Sequence, residues 1–298
     1  MSSTHQPFAL PFQRIAVFGP GLLGGSIAMA IHACLPQAEL RIWARREQPL
    51  TFARELGLTD LVFTDAKAAA RGADLIILAT PIGVFEDLVR KMLSAIGHDC
   101  LVTDVGSVKA YVHRTTGAFL TERGRHFIGS HPMAGAEKQG IESASAELLQ
   151  GATVALTNPH GVPTEQEERL AAFWQALGCS TYTMDPVNHD RTVARISHVP
   201  HILAGLCARN ATFGQVPMAD LQRLAAGGFR DTTRVCSGPS PMWADILWEN
   251  DVAIRAALDT CIEDLVKLRT LLKEQDKSAV CDWLEEAKTA RETIRCEE

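Results

Sequence analysis

A histidine set among small and rigid residues, Gly129-Ser130-His131-Pro132-Met133-Ala134-Gly135, follows a short apolar run and falls where a strand should end. An imidazole there titrates near neutrality and suits removal of a hydroxyl proton while a hydride leaves the same carbon. A second segment, Thr103-Asp104-Val105-Gly106-Ser107-Val108-Lys109, follows another such run. Its Ser107 could orient the histidine or the substrate hydroxyl. Both segments fall beyond the carboxyl ends of strands, where a doubly wound sheet holds its ligands, and this makes Asp104 and Gly106 candidate cofactor contacts. The competing reading of His131 is an ordinary core histidine.

A nucleotide signal lies nearer the N-terminus. Gly19-Pro20-Gly21-Leu22-Leu23-Gly24 comes directly after an apolar run and opens an apolar helical pattern at 27–35, the context that a GxGxxG motif requires. Gly19 permits the tight turn, Gly21 lets the backbone approach a pyrophosphate, and Gly24 lets helix and strand pack. The helix N-terminus supplies free N–H groups and a partial positive charge, and Leu22 and Leu23 are candidate cofactor contacts with the glycines. An acid some 20 residues further on would bind the adenosine ribose and repel a 2′-phosphate. The sequence instead has Ala44, followed by Arg45 and Arg46. A cationic pair holds phosphate by charge-assisted hydrogen bonds, so NADP is the expected cofactor and NAD the second candidate. Solvated surface is the other role open to the two arginines, and Glu47 is the acid if the register is shifted.

These residues need a scaffold. Runs at 14–18, 40–43, 61–63, 74–79, 100–103, 127–129, 152–156 and 180–183 are short, apolar and mostly bounded by Gly, Pro or Asp, and read as strands. Between most of them lie helical patterns such as 85–96 and 165–177. Alternation of this kind implies a mainly parallel, doubly wound, Rossmann-type sheet. No strand pattern follows Asp185-Pro186. Residues 189–213 read as a long helix kinked by Pro200. Ile254, Leu258, Ile262, Leu265, Leu268 and Leu272 draw one apolar stripe on another. Core packing is the ordinary use of such a stripe, and burial against a second copy is the other. The fold class is thus α/β, with a dinucleotide-binding domain at 1–185 followed by an all-α domain at 186–298.

Composition bounds the partners. The 298 residues suit about two domains. A net charge of −6 leaves no basic excess for nucleic acid. The longest strictly aliphatic run, 75–79, is far short of a membrane span, and residues 1–12 lack the pattern of a secretory signal. Eight scattered cysteines without a CxxC pair read as reduced thiols of a cytoplasmic protein, with no metal site expected.

GPGLLGGS at 19–26, ATP at 79–81, DVGSVK at 104–109, GSHPMAGAEKQG at 129–140, SHVPH at 197–201, GGFRDTTR at 227–234 and PMWADILWEN at 241–250 resemble, in order, the signatures of prephenate dehydrogenases. The resemblance runs from about residue 14 to about residue 272. It implies NAD(P)-dependent oxidative decarboxylation of prephenate to 4-hydroxyphenylpyruvate on the tyrosine route, or of arogenate to tyrosine. By the same resemblance, His131 is the catalytic histidine bonded to the ring hydroxyl and Ser107 assists it. Arg234 binds the ring carboxylate, His201, Gly227 and Trp243 line the pocket, Glu137 is an acidic gate, and Asp231 positions Arg234. Thr80 and Pro81 lie with the cofactor. A homodimer through the helical domain is implied as well, with no added mutase or regulatory domain.

Three rivals stay open. An arogenate dehydrogenase is favoured by the Arg45-Arg46 pair, since NADP use often accompanies arogenate use in the family. A 3-hydroxyacid dehydrogenase of the 6-phosphogluconate type would carry a catalytic lysine at 191–200, and none is present. A non-catalytic NADP-sensing module has no need of Ser107, His131 and Arg234 together.

Overall fold

The computed structural model describes residues 10–135 and 139–294. Eight strands occur among them: β1 (Arg14–Phe18), β2 (Glu39–Trp43), β3 (Val62–Phe63), β4 (Leu75–Leu78), β5 (Leu101–Asp104), β6 (His126–Pro132), β7 (Thr153–Thr157) and β8 (Ser180–Thr183). They form one sheet in the order β3-β2-β1-β4-β5-β6-β7-β8. From β3 to β6 every pairing is parallel, β6 and β7 run antiparallel, and β7 and β8 are again parallel. The order in which strands are added reverses between β1 and β4, and that switch point opens the crevice where such sheets bind nucleotides.

The central strands are apolar at nearly every position because helices cover both faces. Alternation sends Ile15 and Val17 into one core cluster and Ala16 and Phe18 into the other. The longer helices include α1 (Leu22–Cys34), α2 (Glu47–Glu55), α3 (Phe85–Met92), α4 (Thr164–Ala176), α5 (Pro186–Val193), α6 (Val199–Ala211), α7 (Gly227–Thr233), α8 (Ser240–Glu249), α9 (Asp251–Glu274) and α10 (Lys277–Thr293). α3 shows the rule by which they pack. Its buried residues Phe85, Leu88, Val89 and Met92 recur three and four apart and present one apolar stripe.

The helix expected at 189–213 is built in three pieces. Asp185 caps α5, accepting from the Val187 and Asn188 N–H groups at 2.9 and 3.0 Å, with Pro186 in the first turn. A π-helical turn, Ala194–His198, then leads into α6. Pro200 has no N–H to donate, and the wider turn before it absorbs the break in the ladder.

The chain divides into two compact units, one through Asn250 and one from Asp251 onward. The strands end earlier, at Thr183, and the helices of 186–249 belong to the first unit. The second unit is a hairpin of α9 and α10. Asp276 caps α10, and Trp283 Nε1 donates to Asp264 at 3.0 Å. Core packing of the stripe on α9 is corrected for its later half. Ile262, Leu265 and Leu272 are 56%, 50% and 60% exposed in the single chain. Among the described residues no helix is long and apolar enough to cross a membrane.

Candidate active site

The turn after β1 is shaped by three glycines. Gly19 adopts φ +98°, and a Cβ there would lie 2.8 Å from Thr80 Cγ2, so both backbone and space demand glycine. A Cβ on Gly24 would lie 2.2 Å from the Gly19 oxygen, which is how the start of α1 packs on the turn. Gly21 has open space to 4 Å, and as N-cap it leaves the first-turn N–H groups of α1 without a side-chain partner. Across the turn, beside Pro81, the buried Thr80 Oγ1 has no hydrogen-bond partner among the described residues. Open space, free N–H groups and an orphaned hydroxyl fit the pyrophosphate of a dinucleotide.

The Gly19 N–H donates to the Trp43 carbonyl at 2.9 Å, tying this turn to the end of β2. Ala44 follows in the core, 5% exposed, so it bears on the cofactor as a missing acid and not as a side-chain contact. Arg45 and Arg46 are exposed, with Arg46 leading into α2 in an extended conformation.

At the ends of β5 and β6 the polar residues interlock. Asp104 and Lys109 are fully buried and form an ion pair. Asp104 also accepts from Gly106 N–H at 2.8 Å and Ser130 N–H at 3.3 Å. Burial pushes its carboxyl up and the Lys109 ammonium down, each opposed by the other's charge. The bonds of the Asp104 side chain turn inward and hold the loop. Gly106 keeps that loop close, where a Cβ would meet Ile82 Cγ1 at 2.9 Å.

β6 extends through Pro132, so His131 lies within the strand and not in the loop after it. Its register partner is Ala155 on β7. His131 Nδ1 lies 2.9 Å from His189 Nε2, and His189 Nδ1 lies 2.8 Å from Asp190 Oδ1. Asp190 in turn accepts from the Lys109 and Ala110 N–H groups at 2.7 and 2.9 Å. Burial chiefly, then the charges of His189, Lys109 and His198, hold the His131 pKa well below 6.5. Ser107 is half-buried on the neighbouring loop. His189 occupies Nδ1 of His131, so an orienting contact from Ser107 would have to reach Nε2.

The network continues toward the expected substrate side. Asn250 Nδ2 donates to the Asp190 carbonyl at 2.9 Å and lies 3.1 Å from His198 Nδ1. His198 meets the Trp243 ring edge-on, and His201 stacks on Trp243 with ring centroids 3.5 Å apart. The turn that begins at Arg234 ends beside this pair, where a Cβ on Gly238 would lie 2.4 Å from Trp243 Nε1 and 3.6 Å from His201 Cε1. Gly227 opens α7, and Asp231 on the same helix pairs with Arg230 at 3.6 Å. Glu137 lies outside the described residues.

Comparison with known proteins agrees along the chain. The profile described as prephenate dehydrogenase, nucleotide-binding domain, matches residues 28–183, and that of the prephenate dehydrogenase dimerization domain matches residues 185–286. The chain belongs to the prephenate dehydrogenase family. It is 33% identical over 285 residues to the cyclohexadienyl dehydrogenase of Zymomonas mobilis, covering 95% of this chain and 97% of that one. The crystal structure of prephenate dehydrogenase from A. aeolicus, in complex with hydroxyphenyl propionate and NAD+, superimposes with a TM-score of 0.89 at 27% identity, covering 97% and 100% of the two chains. Synechocystis arogenate dehydrogenase gives 0.81 at 28% identity, covering 95% and 100%.

Within this family member, contacts run from His131 through His189, Asp190, Asn250, His198 and Trp243 to His201, and of these the sequence reading did not single out His189, Asp190 and Asn250. A His-Asp pair one turn past the Asp185-Pro186 cap reads as a solvated helix start. The available signal was spacing. Pro186, His189, Asp190 and Val193 recur at the three- and four-residue steps of a buried face, and the structure buries all four.

Proposed function

We infer that the protein catalyses the NAD(P)-dependent oxidative decarboxylation of prephenate to 4-hydroxyphenylpyruvate in tyrosine biosynthesis. The observation that carries this reading is His131, buried at the end of β6 with Nδ1 engaged by His189 and Nε2 bonded to no described residue. The bound nicotinamide supplies the hydride acceptor. His131 Nε2 takes the proton of the ring hydroxyl as hydride leaves the same carbon. Loss of carbon dioxide from the opposite carbon makes the ring aromatic, and the proton returns to the phenolate oxygen, so the balance is one hydride transferred and no net proton. A weak base suffices, because the hydroxyl becomes strongly acidic as the hydride departs. Aromatisation supplies the driving force, and the protein's task is alignment.

In this reading Ser107 assists at the hydroxyl. Arg234 grips the ring carboxylate through its planar guanidinium. His201, Trp243, Gly227, Asp231 and Glu137 complete the pocket. Gly19, Gly21, Leu22, Leu23, Gly24, Thr80, Pro81 and Gly106 cradle the cofactor, and Arg45 and Arg46 hold a 2′-phosphate, giving a preference for NADP. Residues 1–185 bind the nucleotide, and residues 186–298 complete the substrate pocket and join two copies in a cytoplasmic homodimer. The uncovered apolar face of α9 supports the dimer.

Arogenate is the second substrate, favoured by the two exposed arginines in place of an acid after β2. Prephenate and arogenate differ only in a keto group against a charged amine. Steady-state assays of each substrate with NAD and with NADP test the whole reading. The expected result is the highest kcat/KM for prephenate with NADP. A lower KM for NAD would overturn the cofactor preference, preference for arogenate would select the second substrate, and turnover of neither would overturn the function.

A further inference from the structure

We infer that His189 and Asp190 are positioning residues that hold His131 in the Nδ1–H form and so present its Nε2 to the substrate as proton acceptor. This rests on the reading of His131 as the base. The direction of each bond follows from the end of the chain. Asp190 accepts from two backbone N–H groups, one on each carboxylate oxygen, at 2.7 and 2.9 Å, which makes it the accepting end of the chain. His189 Nδ1, 2.8 Å from the same carboxylate, therefore carries its proton. With that proton on Nδ1, His189 offers the lone pair of Nε2, and His131 Nδ1, 2.9 Å away, donates to it. The lone pair left on His131 is at Nε2.

Asp190 is well placed to be the fixed end. Its carboxylate is seated on the start of the segment after Lys109, and its carbonyl accepts from Asn250. The array thus runs from the helical part of the chain into the sheet, and α5 sets the tautomer of a residue on β6. The charged and titratable groups that face His131 are His189 and His198 from 186–198 and Lys109 from the loop after β5. As Nε2 takes the hydroxyl proton, the imidazolium formed is steadied through His189 by the Asp190 charge, and the proton goes back to the product oxygen with nothing left over.

Histidine-selective 15N NMR and paired substitutions test this. The wild-type spectrum should show His131 protonated at Nδ1 and bare at Nε2. His189→Leu should mix the two forms, lower kcat about 10²–10⁴-fold and shift the acid limb of the kcat–pH profile, with KM for the substrate moving less than about threefold. His189→Gln, which restores an acceptor near the Nε2 position, should recover at least about tenfold of that loss. An Nε2–H form in the wild type would overturn the inference. So would equal losses in both variants with an unchanged tautomer, which would assign His189 to packing. His131→Asn separates the two levels: near-normal turnover there would remove the base itself, whereas a large loss there beside an unaffected His189→Leu would sink only the positioning role.

Discussion

With Nδ1 of His131 spent on His189, one nitrogen remains for substrate, and this fixes what replacement should do. His131→Asn keeps the size of the site and removes the base, so kcat should fall about 10²–10⁴-fold with a modest change in KM. Near-normal turnover would take His131 out of the mechanism. The pH profile follows from the same burial. The folded pKa lies well below 6.5, so the neutral, accepting form persists as pH drops past that value. Activity should hold at pH 6, where an ordinary histidine would be largely protonated, and fall only as pH passes through the depressed pKa. Loss of half the activity near 6.5 would contradict the environment described for His131. Arg234 is predicted to act differently. Arg234→Gln should chiefly raise KM for the dianionic substrate, because binding of the carboxylate is common to ground and transition states. A rise confined to the KM of the cofactor would contradict its assignment.

At the scale of elements, the β1–α1 turn makes two glycines separable. A Cβ on Gly24 would press to 2.2 Å on the Gly19 oxygen, so Gly24→Ala should destabilise the protein without any cofactor, by about 1–3 kcal/mol for overpacking of this kind. Gly21→Ala meets nothing within 4 Å, so it should leave apo stability unchanged and weaken dinucleotide binding, because the methyl enters the space read here as the pyrophosphate's. Thermal denaturation without ligand, paired with a binding titration, separates them, and equal effects in both assays would contradict the distinct roles. These elements were largely legible in the sequence. The runs at 14–18 and 180–183 coincide with β1 and β8, and the glycine motif announces its own turn. Less legible was whatever depends on partners remote in sequence. β6 runs three residues past the expected end because β7 pairs with it antiparallel, from Gly129 opposite Thr157 to Pro132 opposite Val154. The π turn before Pro200 reflects how the ladder is repaired, which the proline alone does not specify. His189 and Asp190 were missed because local sequence cannot say that a polar pair faces inward unless its helical spacing is traced.

Across the whole molecule, charge and burial set the limits of stability. The chain carries −6 and binds, on this reading, two anions, so attraction must come from local cations such as Arg45, Arg46 and Arg234. Low pH relaxes that negative charge but opens a different weakness in the buried histidines. Burial lowers His113 to about 3 and His198 to about 4, with His131 displaced in the same direction. In the unfolded chain each would titrate near 6.5. Between that value and the folded pKa the unfolded state binds the proton and the folded state does not, so stability rises with pH in this window and is lost as pH falls through it. Each such histidine contributes a slope of up to about 1.4 kcal/mol per pH unit. His113 isolates one of them, being held by Thr157 Oγ1 at 2.7 Å from Nε2, with its Nδ1 buried and unpartnered among the described residues. Urea denaturation at pH 7, 5.5 and 4.5 should show unfolding free energy falling across the series. His113→Gln, whose amide can still reach Thr157, should flatten that fall by about one proton's worth while costing stability at pH 7. An identical pH slope in the variant would mean that His113 exchanges its proton in the folded state, and the buried, neutral character assigned to it would be wrong.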